Sequence, residues 1–395
     1  MAGNLTIPHD ESLQVMNRLT DSLPKTSVQR HGIGAIVVGV LPGEGIGNEV
    51  VSAALDVLNV LSSVTDRKIE VRTGGMIGSE ARRSAGKSLT DETIKFCESV
   101  FGESGALFCG PGGARFVYDL RERFDLFCKF TPLAPMSTLR DTGVLRPDQL
   151  DKVNIIAVRE NVGGAYFGQW GRDDDAQGRP GAYHRFEYRL DQVTRILGVA
   201  ARLAARRRGK LSVALKREGV PAISELWIEG LEQIRRTNPV DVEILDIDNA
   251  VYQLIADPHR FDVIVSSNMF GDILADCGSL LLGSRGMSYS GNFSGDGKAV
   301  YQTGHGAAFD IAGTNTANPV GQILSMAMML RESFAWPEGA DVIRAAVTTI
   351  LAQGYRTRDI AGPDSQIVGT RELGLRICDT LHSLIGKDAC AQPLS

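Results

Sequence analysis

Short runs that are apolar on both faces recur along this chain, and each is followed by a turn and an amphipathic segment. Ile33 to Leu41, Ala106 to Cys109, Asn154 to Arg159, Leu211 to Leu215 and Phe261 to Ser266 are all too short to be helices. A strand apolar on both faces must be covered on both faces, which is the condition of a central strand flanked by helices. The segments between them carry a 3.6-residue period. Val50, Ala54, Val57, Leu58 and Leu61 form one stripe, and Val193, Ile196, Leu197, Ala200 and Ala204 form another. Strand, turn and helix in alternation predict an α/β architecture.

The chain is long enough, at 395 residues, for two domains or one large one, and its 43% hydrophobic content supplies a sizeable core. A net charge of −5 argues against nucleic acid as a partner, and no apolar run is long enough to span a bilayer. Six widely spaced cysteines without metal-type pairing read as reduced, mostly buried thiols of a cytoplasmic protein. Residues 1–32 are polar, contain Asp10, Glu11 and Asp21 and lack an apolar core of the signal-peptide kind; they read as a loosely ordered extension. The polar, turn-rich stretch 170–182 reads as a loop or extended arm.

Two turns and one helix carry candidate chemistry. Gly43, Glu44, Gly45, Ile46 and Gly47 follow the first strand, but the third glycine falls too early for the dinucleotide fingerprint. A structural turn and a close backbone approach to a ligand both account for these glycines. Arg159 ends an apolar strand before a double-glycine turn, where α/β sheets place ligand groups. Lys216 ends another strand, either snorkelling or functional. After Phe261 to Ser266 comes a helix bearing Asp272 and Asp276, one turn apart on one face. Two carboxylates at that spacing suit either a solvated helix start or a divalent cation with oxygen ligands. The flanking Ile273, Leu274 and Leu280 to Leu282 describe a packed place.

Four segments, in order, resemble the β-decarboxylating hydroxyacid dehydrogenases, the isocitrate/isopropylmalate dehydrogenase family. They are LPGEGIGNEV from Leu41, VRENVGGAYFG from Val158, NMFGDILADCGSLLLGSRGM from Asn268 and HGAAFDIAGTNTANPVGQILSMAMML from His305. The isopropylmalate branch is the most similar. The resemblance implies a two-domain α/β fold with mixed sheets flanked by helices, distinct from a standard Rossmann domain. Its large cofactor-binding domain would comprise 33–126 plus 283–395, and its small domain 127–282. It implies a homodimer with shared active sites, with Leu280 to Leu282 and the helix at 223–235 packed at the interface.

The same resemblance implies oxidation and decarboxylation of a 3-substituted malate-type 2-hydroxy acid, with NAD and Mg²⁺ or Mn²⁺. Asp272 and Asp276 match the metal aspartates, and Asp248 matches the one contributed by the second subunit. Lys216 matches the proton-accepting lysine, whose pKa near a metal and other cations is expected to fall. Tyr166 matches the proton donor to the enol carbon. Arg121 and Arg159 match two substrate-carboxylate arginines. His305, Gly306 and Asn318 match the adenosine loop, where Asp310 with Ile311 favours NAD over its 2′-phosphorylated form.

The chain departs from the family pattern on the substrate side. Thr131 stands where a third substrate arginine is usual, leaving one carboxylate without its partner unless Lys129 or Arg140 substitutes. The pocket wall reads Ala114, Arg115, Val117 and Tyr118 in place of a glutamate and two leucines; Leu215 precedes the lysine, and Cys277 replaces a glutamate. These changes keep open a tartrate- or isocitrate-type dehydrogenase, and a catalytically weakened paralogue serving as a ligand-binding or regulatory subunit.

Overall fold

The computed structural model describes residues 18–24, 36–65 and 67–390. Most of the expected extension therefore lies outside the described residues. Residues 18–24 do not fit a loose segment: Leu19 is buried, and Thr20 donates from its amide and its hydroxyl to Glu332 Oε2 at 3.0 and 2.9 Å. Arg202 Nε donates to Ser22 O at 2.8 Å. One apolar side chain and one buried carboxylate dock this piece where the polar sequence around it gives no sign of contact.

The strands are β1 (Ile36–Leu41), β2 (Ile69–Thr73), β3 (Ala106–Cys109), β4 (Cys128–Leu133), β5 (Ile155–Glu160), β6 (Gln169–Asp174), β7 (Pro180–Arg185), β8 (Lys210–Leu215), β9 (Asp241–Asp246), β10 (Val263–Ser266), β11 (Tyr289–Phe293), β12 (Ala299–Thr303) and the short parallel pair β13 (Tyr355–Arg356) and β14 (Gln366–Ile367). Ten of them form one continuous sheet in the order β2-β1-β3-β12-β11-β4-β5-β10-β8-β9. Both wings are parallel, and the centre, β12-β11-β4-β5, is antiparallel. Strands from 33–126 and 283–395 fill one half of the sheet, and strands from 127–282 fill the other. The halves meet where β11 pairs with β4, with Asn292 opposite Lys129.

The helices cover both faces, as strands buried on both faces require. Helix Val320–Glu332 is buried over almost its whole surface, so its apolar run is core. β1, β4 and β5 are buried at every position. The buried cysteines 97, 109, 128 and 378 and the half-buried Cys277 are all free thiols. Among the described residues no helix is long and apolar enough to cross a membrane.

Stretch 170–182 is more ordered than its composition suggests: β6 and β7 pair as an antiparallel ribbon from Gln169↔Arg185 to Asp174↔Pro180. Its residues are exposed along nearly the whole length, so no apolar alternation marks it in sequence. Leu281 and Leu282 also differ from expectation. They are buried in the chain's own core, and only Leu280 of the three faces outward.

An ion pair ties the turn after helix Leu190–Ala205 to the residue just before β10. Asp262 is fully buried and accepts from Arg207 Nε at 2.7 Å and from the Arg208 amide at 2.8 Å. Removing one partner of such a pair strands a buried charge. Asp262→Ala is expected to cost about 3–5 kcal/mol of stability in a denaturant titration, whereas the exposed pair Lys87–Asp91 is expected to contribute under about 1 kcal/mol.

Candidate active site

The site assembles on the face that β4 and β5 turn toward helix Asn268–Gly278. Side chains alternate along a strand, so Lys129 and Thr131 share a face, as do Ala157 and Arg159 opposite them. Gly271 lets the helix approach: a Cβ there would lie 3.0 Å from Arg159 Cγ. Asp272 and Asp276 thus come down on the arginine side of the sheet.

Arg159 is fixed before any ligand arrives. Its Nε and Nη2 donate to Asn268 Oδ1 at 3.0 and 2.7 Å, and its Nη1 pairs with Asp272. Asn268 is itself held, donating to Gly163 O at 3.0 Å and, from its amide, to the Tyr188 hydroxyl at 3.0 Å. Tyr166 donates to Asp272 Oδ2 at 3.0 Å. The Tyr118 ring lies 5.1 Å from that of Tyr166, and the guanidinium of Arg121 lies 5.6 Å from the Tyr118 ring.

Arg121, Lys129 and Arg159 are each less than 7% exposed. Burial, then Arg159, pushes the Arg121 pKa down to about 9. Burial, then the two arginines, pushes Lys129 down to about 7. Burial raises Tyr166 to about 12, with Asp272 adding to it. Burial works against the Asp272 carboxylate, but Arg159, Lys129 and Arg121 together hold its pKa below the ordinary value. Asp276 is raised, chiefly by burial, despite Arg285 at 2.8 Å. Arg121 Nε is buried without a partner, a donor left over for an anion.

Lys216 follows β8, Asp248 lies just after β9, and the two pair with each other. Lys216 Nζ donates to Asp248 Oδ1 at 2.8 Å, and both side chains are substantially exposed. Lys216 also borders a largely apolar cavity of about 310 Å³ lined by Phe186, Val220, Ile223, Trp227 and Met269. The expected fall in its pKa is not met within one chain: the hydrogen bond it donates to Asp248 raises it. Among the described residues no three His, Cys, Asp or Glu side chains gather as a metal site. One chain brings Asp272 and Asp276 together and leaves Asp248 with Lys216.

The third group is the loop 304–318. His305 Nδ1 contacts Gly306 O at 3.0 Å, its Nε2 is buried without a partner, and burial lowers its pKa. Asp310 is exposed, and Ile311 packs on the cluster of Ile46, Val50 and Ala317. Asn318 is held internally, its Nδ2 donating to Asp359 at 3.1 Å and its Oδ1 accepting from the Val320 amide at 2.9 Å. The glycine turn after β1 backs this loop. The Ile46 amide donates to Ala307 O at 2.9 Å, and a Cβ on Gly45, at φ +58°, would lie 2.0 Å from that oxygen.

Two residues to which the sequence assigns no role position these groups. Glu49 accepts from the Gly313 and Asn315 amides at 3.0 and 2.8 Å, anchoring the loop to helix Gly47–Ser63. Glu44 accepts from the Glu80 and Gly113 amides at 2.7 Å each. Their partners are distant backbone amides, which no local spacing reveals.

A model of the isocitrate/isopropylmalate dehydrogenase family matches residues 37–377. The chain belongs to this family. It is 37% identical over 352 residues to a 3-isopropylmalate dehydrogenase of Desulfitobacterium hafniense, covering 85% of this chain and 97% of that one. The corresponding enzyme of Geobacillus kaustophilus is 37% identical over 355 residues, covering 86% and 94%. Among solved structures, isocitrate dehydrogenase from Methylococcus capsulatus superposes with a TM-score of 0.78 at 28% identity, covering 88% of this chain and 99% of that one. The TT0538 protein of Thermus thermophilus superposes at 0.77 with 28% identity, covering 92% and 71%. As a member of the isocitrate/isopropylmalate dehydrogenase family, the chain is a dehydrogenase with a mixed-sheet α/β fold.

Proposed function

We propose that this dehydrogenase oxidises and decarboxylates a 3-substituted, malate-type 2-hydroxy acid with NAD and a divalent cation, as a homodimer whose two copies share each active site. The observation that carries this reading is the buried cluster Arg121, Lys129 and Arg159 beside Asp272 and Tyr166. A dicarboxylate is the ligand such a cluster fits, since buried cations demand anionic partners. The two sheet halves act in this reading as the large domain, 33–126 plus 283–395, and the small domain, 127–282.

Asp272 and Asp276 offer two carboxylates on one helix face, a donor set suited to Mg²⁺ or Mn²⁺, with Asp248 of a second copy as third ligand. The orphaned His305 Nε2 fits a polar group of the adenosine moiety, with Gly306, Asp310, Ile311 and Asn318 completing that site. A metal held there would supply Lewis acidity toward the substrate hydroxyl, and NAD would supply the hydride acceptor.

The chain's own residues do the rest. Arg121 and Arg159 orient the carboxylates, with Tyr118 and Thr131 beside them in the pocket. Lys216 Nζ, from the second copy, accepts the hydroxyl proton. Tyr166, a weak acid at about pKa 12, is well suited to stay protonated until it gives its proton to the enol carbon after carbon dioxide leaves.

A panel of isopropylmalate, malate, tartrate, isocitrate and other 3-substituted malates, followed as NADH formation, tests this reading. Turnover of at least one member, dependent on Mg²⁺ or Mn²⁺, is expected. Metal-independent turnover contradicts it, and no turnover with any member favours the weakened paralogue. Glu49→Ala frees the loop and is expected to raise the KM for NAD by about 5- to 50-fold, the loss of one or two charge-assisted hydrogen bonds. The KM for the hydroxy acid should stay constant, and a shift in it instead would remove the loop from the cofactor site.

A further inference from the structure

Three buried cations crowd one face of the sheet, and only one of them has an anionic partner. Arg159 is paired with Asp272. Among the described residues neither the Arg121 side chain nor the Lys129 side chain makes a hydrogen bond or ion pair. Two unpaired cations in a buried, like-charged neighbourhood destabilise a fold. Such a cost persists at functional sites, where a ligand supplies the missing charge.

The family pattern places an arginine at position 131, where this chain has Thr131. Two side chains could replace its charge, and the structure separates them. Arg140 lies on the surface, paired with Asp151, its side chain 44% exposed. Lys129 sits on the same strand face as Thr131, two residues earlier, and directly opposite Arg159 in the β4–β5 register. The shorter threonine leaves room on that face, and a lysine stem two residues away is long enough to reach across it.

We infer that Lys129 is a substrate-binding residue, holding together with Arg121 the carboxylate that a position-131 arginine would otherwise bind. The inference rests on the proposed hydroxy-acid reaction. It adds that the anion is gripped by a point charge and one fork, not by two forks. A point charge fixes a carboxylate less strictly in angle than a bidentate pair, so this end of the pocket tolerates a wider range of carboxylate orientations.

Lys129→Met keeps the length and removes the charge. Its KM for the hydroxy acid is expected to rise about 10- to 100-fold, the loss of one charge-assisted hydrogen bond, while the KM for NAD stays unchanged. Its melting temperature is expected to be equal or higher, because a stranded buried charge has gone. A merely structural lysine predicts the opposite, a lower melting temperature. Malonate, a dicarboxylate that cannot react, is expected to raise the melting temperature of the wild type and not that of Lys129→Met. A second variant, Lys129→Met with Thr131→Arg, is expected to recover the affinity by returning an arginine to position 131.

Unchanged hydroxy-acid KM in Lys129→Met, equal stabilisation of both proteins by malonate, or none of either, would overturn the assignment. Malonate stabilisation that depends on Lys129 in a protein that oxidises none of the panel leaves the anion cradle standing and removes the proposed reaction. Turnover that ignores Lys129 does the reverse.

Discussion

Asp276→Asn is expected to lower kcat/KM by about 10²- to 10⁴-fold, with metal affinity weakened to the millimolar range or lost. A bound divalent cation contributes several kcal/mol to stabilising developing charge on oxygen, and each ~1.4 kcal/mol is tenfold in rate. The stability of the variant should hardly change. Its one ion pair, with Arg285, joins side chains 46% and 58% exposed, and such pairs contribute about 0–1 kcal/mol. Asp272→Asn is a less clean test. It cuts the ion pair to buried Arg159 and the hydrogen bond from Tyr166 at once, so lost activity there mixes metal, substrate and stability effects. Titrating Mn²⁺ into both variants, with melting curves alongside, separates them. An Asp276→Asn enzyme with an unchanged metal requirement would remove Asp276 from the metal site.

Mixing two inactive variants is expected to restore activity. Lys216→Met loses the proton acceptor and should fall about 10²- to 10⁴-fold, and Asp276→Asn falls as above. If each site takes Lys216 and Asp248 from one copy and Asp272 and Asp276 from the other, a hybrid dimer holds one intact site and one doubly broken site. Random exchange makes half the dimers hybrids, so the mixture recovers about a quarter of wild-type activity. The structural ground is that in one chain Lys216 bonds to Asp248, Asp272 bonds to Arg159 and Tyr166, and among the described residues no third acidic, His or Cys side chain joins Asp272 and Asp276 as a metal site. A site built within one chain gives no recovery beyond the sum of the parents.

Local signals were enough to read the alternation of strand and helix, the glycine turn after β1 and the aspartate pair of the 268–278 helix. Each is a short-range pattern of burial or spacing, and each reappears in the structure where expected. What stayed hidden depends on partners far away in sequence. The ribbon β6–β7 is exposed on both faces and leaves no apolar period. Leu281 and Leu282 read as a packed patch at a subunit interface, but they are buried in the chain's own core, just before the left-handed turn at Gly283, φ +87°. Glu49 reads as an ordinary acidic residue at a helix start until the amides of Gly313 and Asn315 appear above it. Lys129 and Arg140 are equal candidates by charge alone; the burial of Lys129 opposite Arg159 and the exposed pairing of Arg140 with Asp151 distinguish them.

The most direct measurement of the central claim is the joint yield of NADH and carbon dioxide from the best member of the malate panel, before and after chelation. The account predicts one carbon dioxide per NADH, both products abolished by a chelator and both restored by Mg²⁺ or Mn²⁺. NADH without carbon dioxide, or either product in the chelated enzyme, would contradict it.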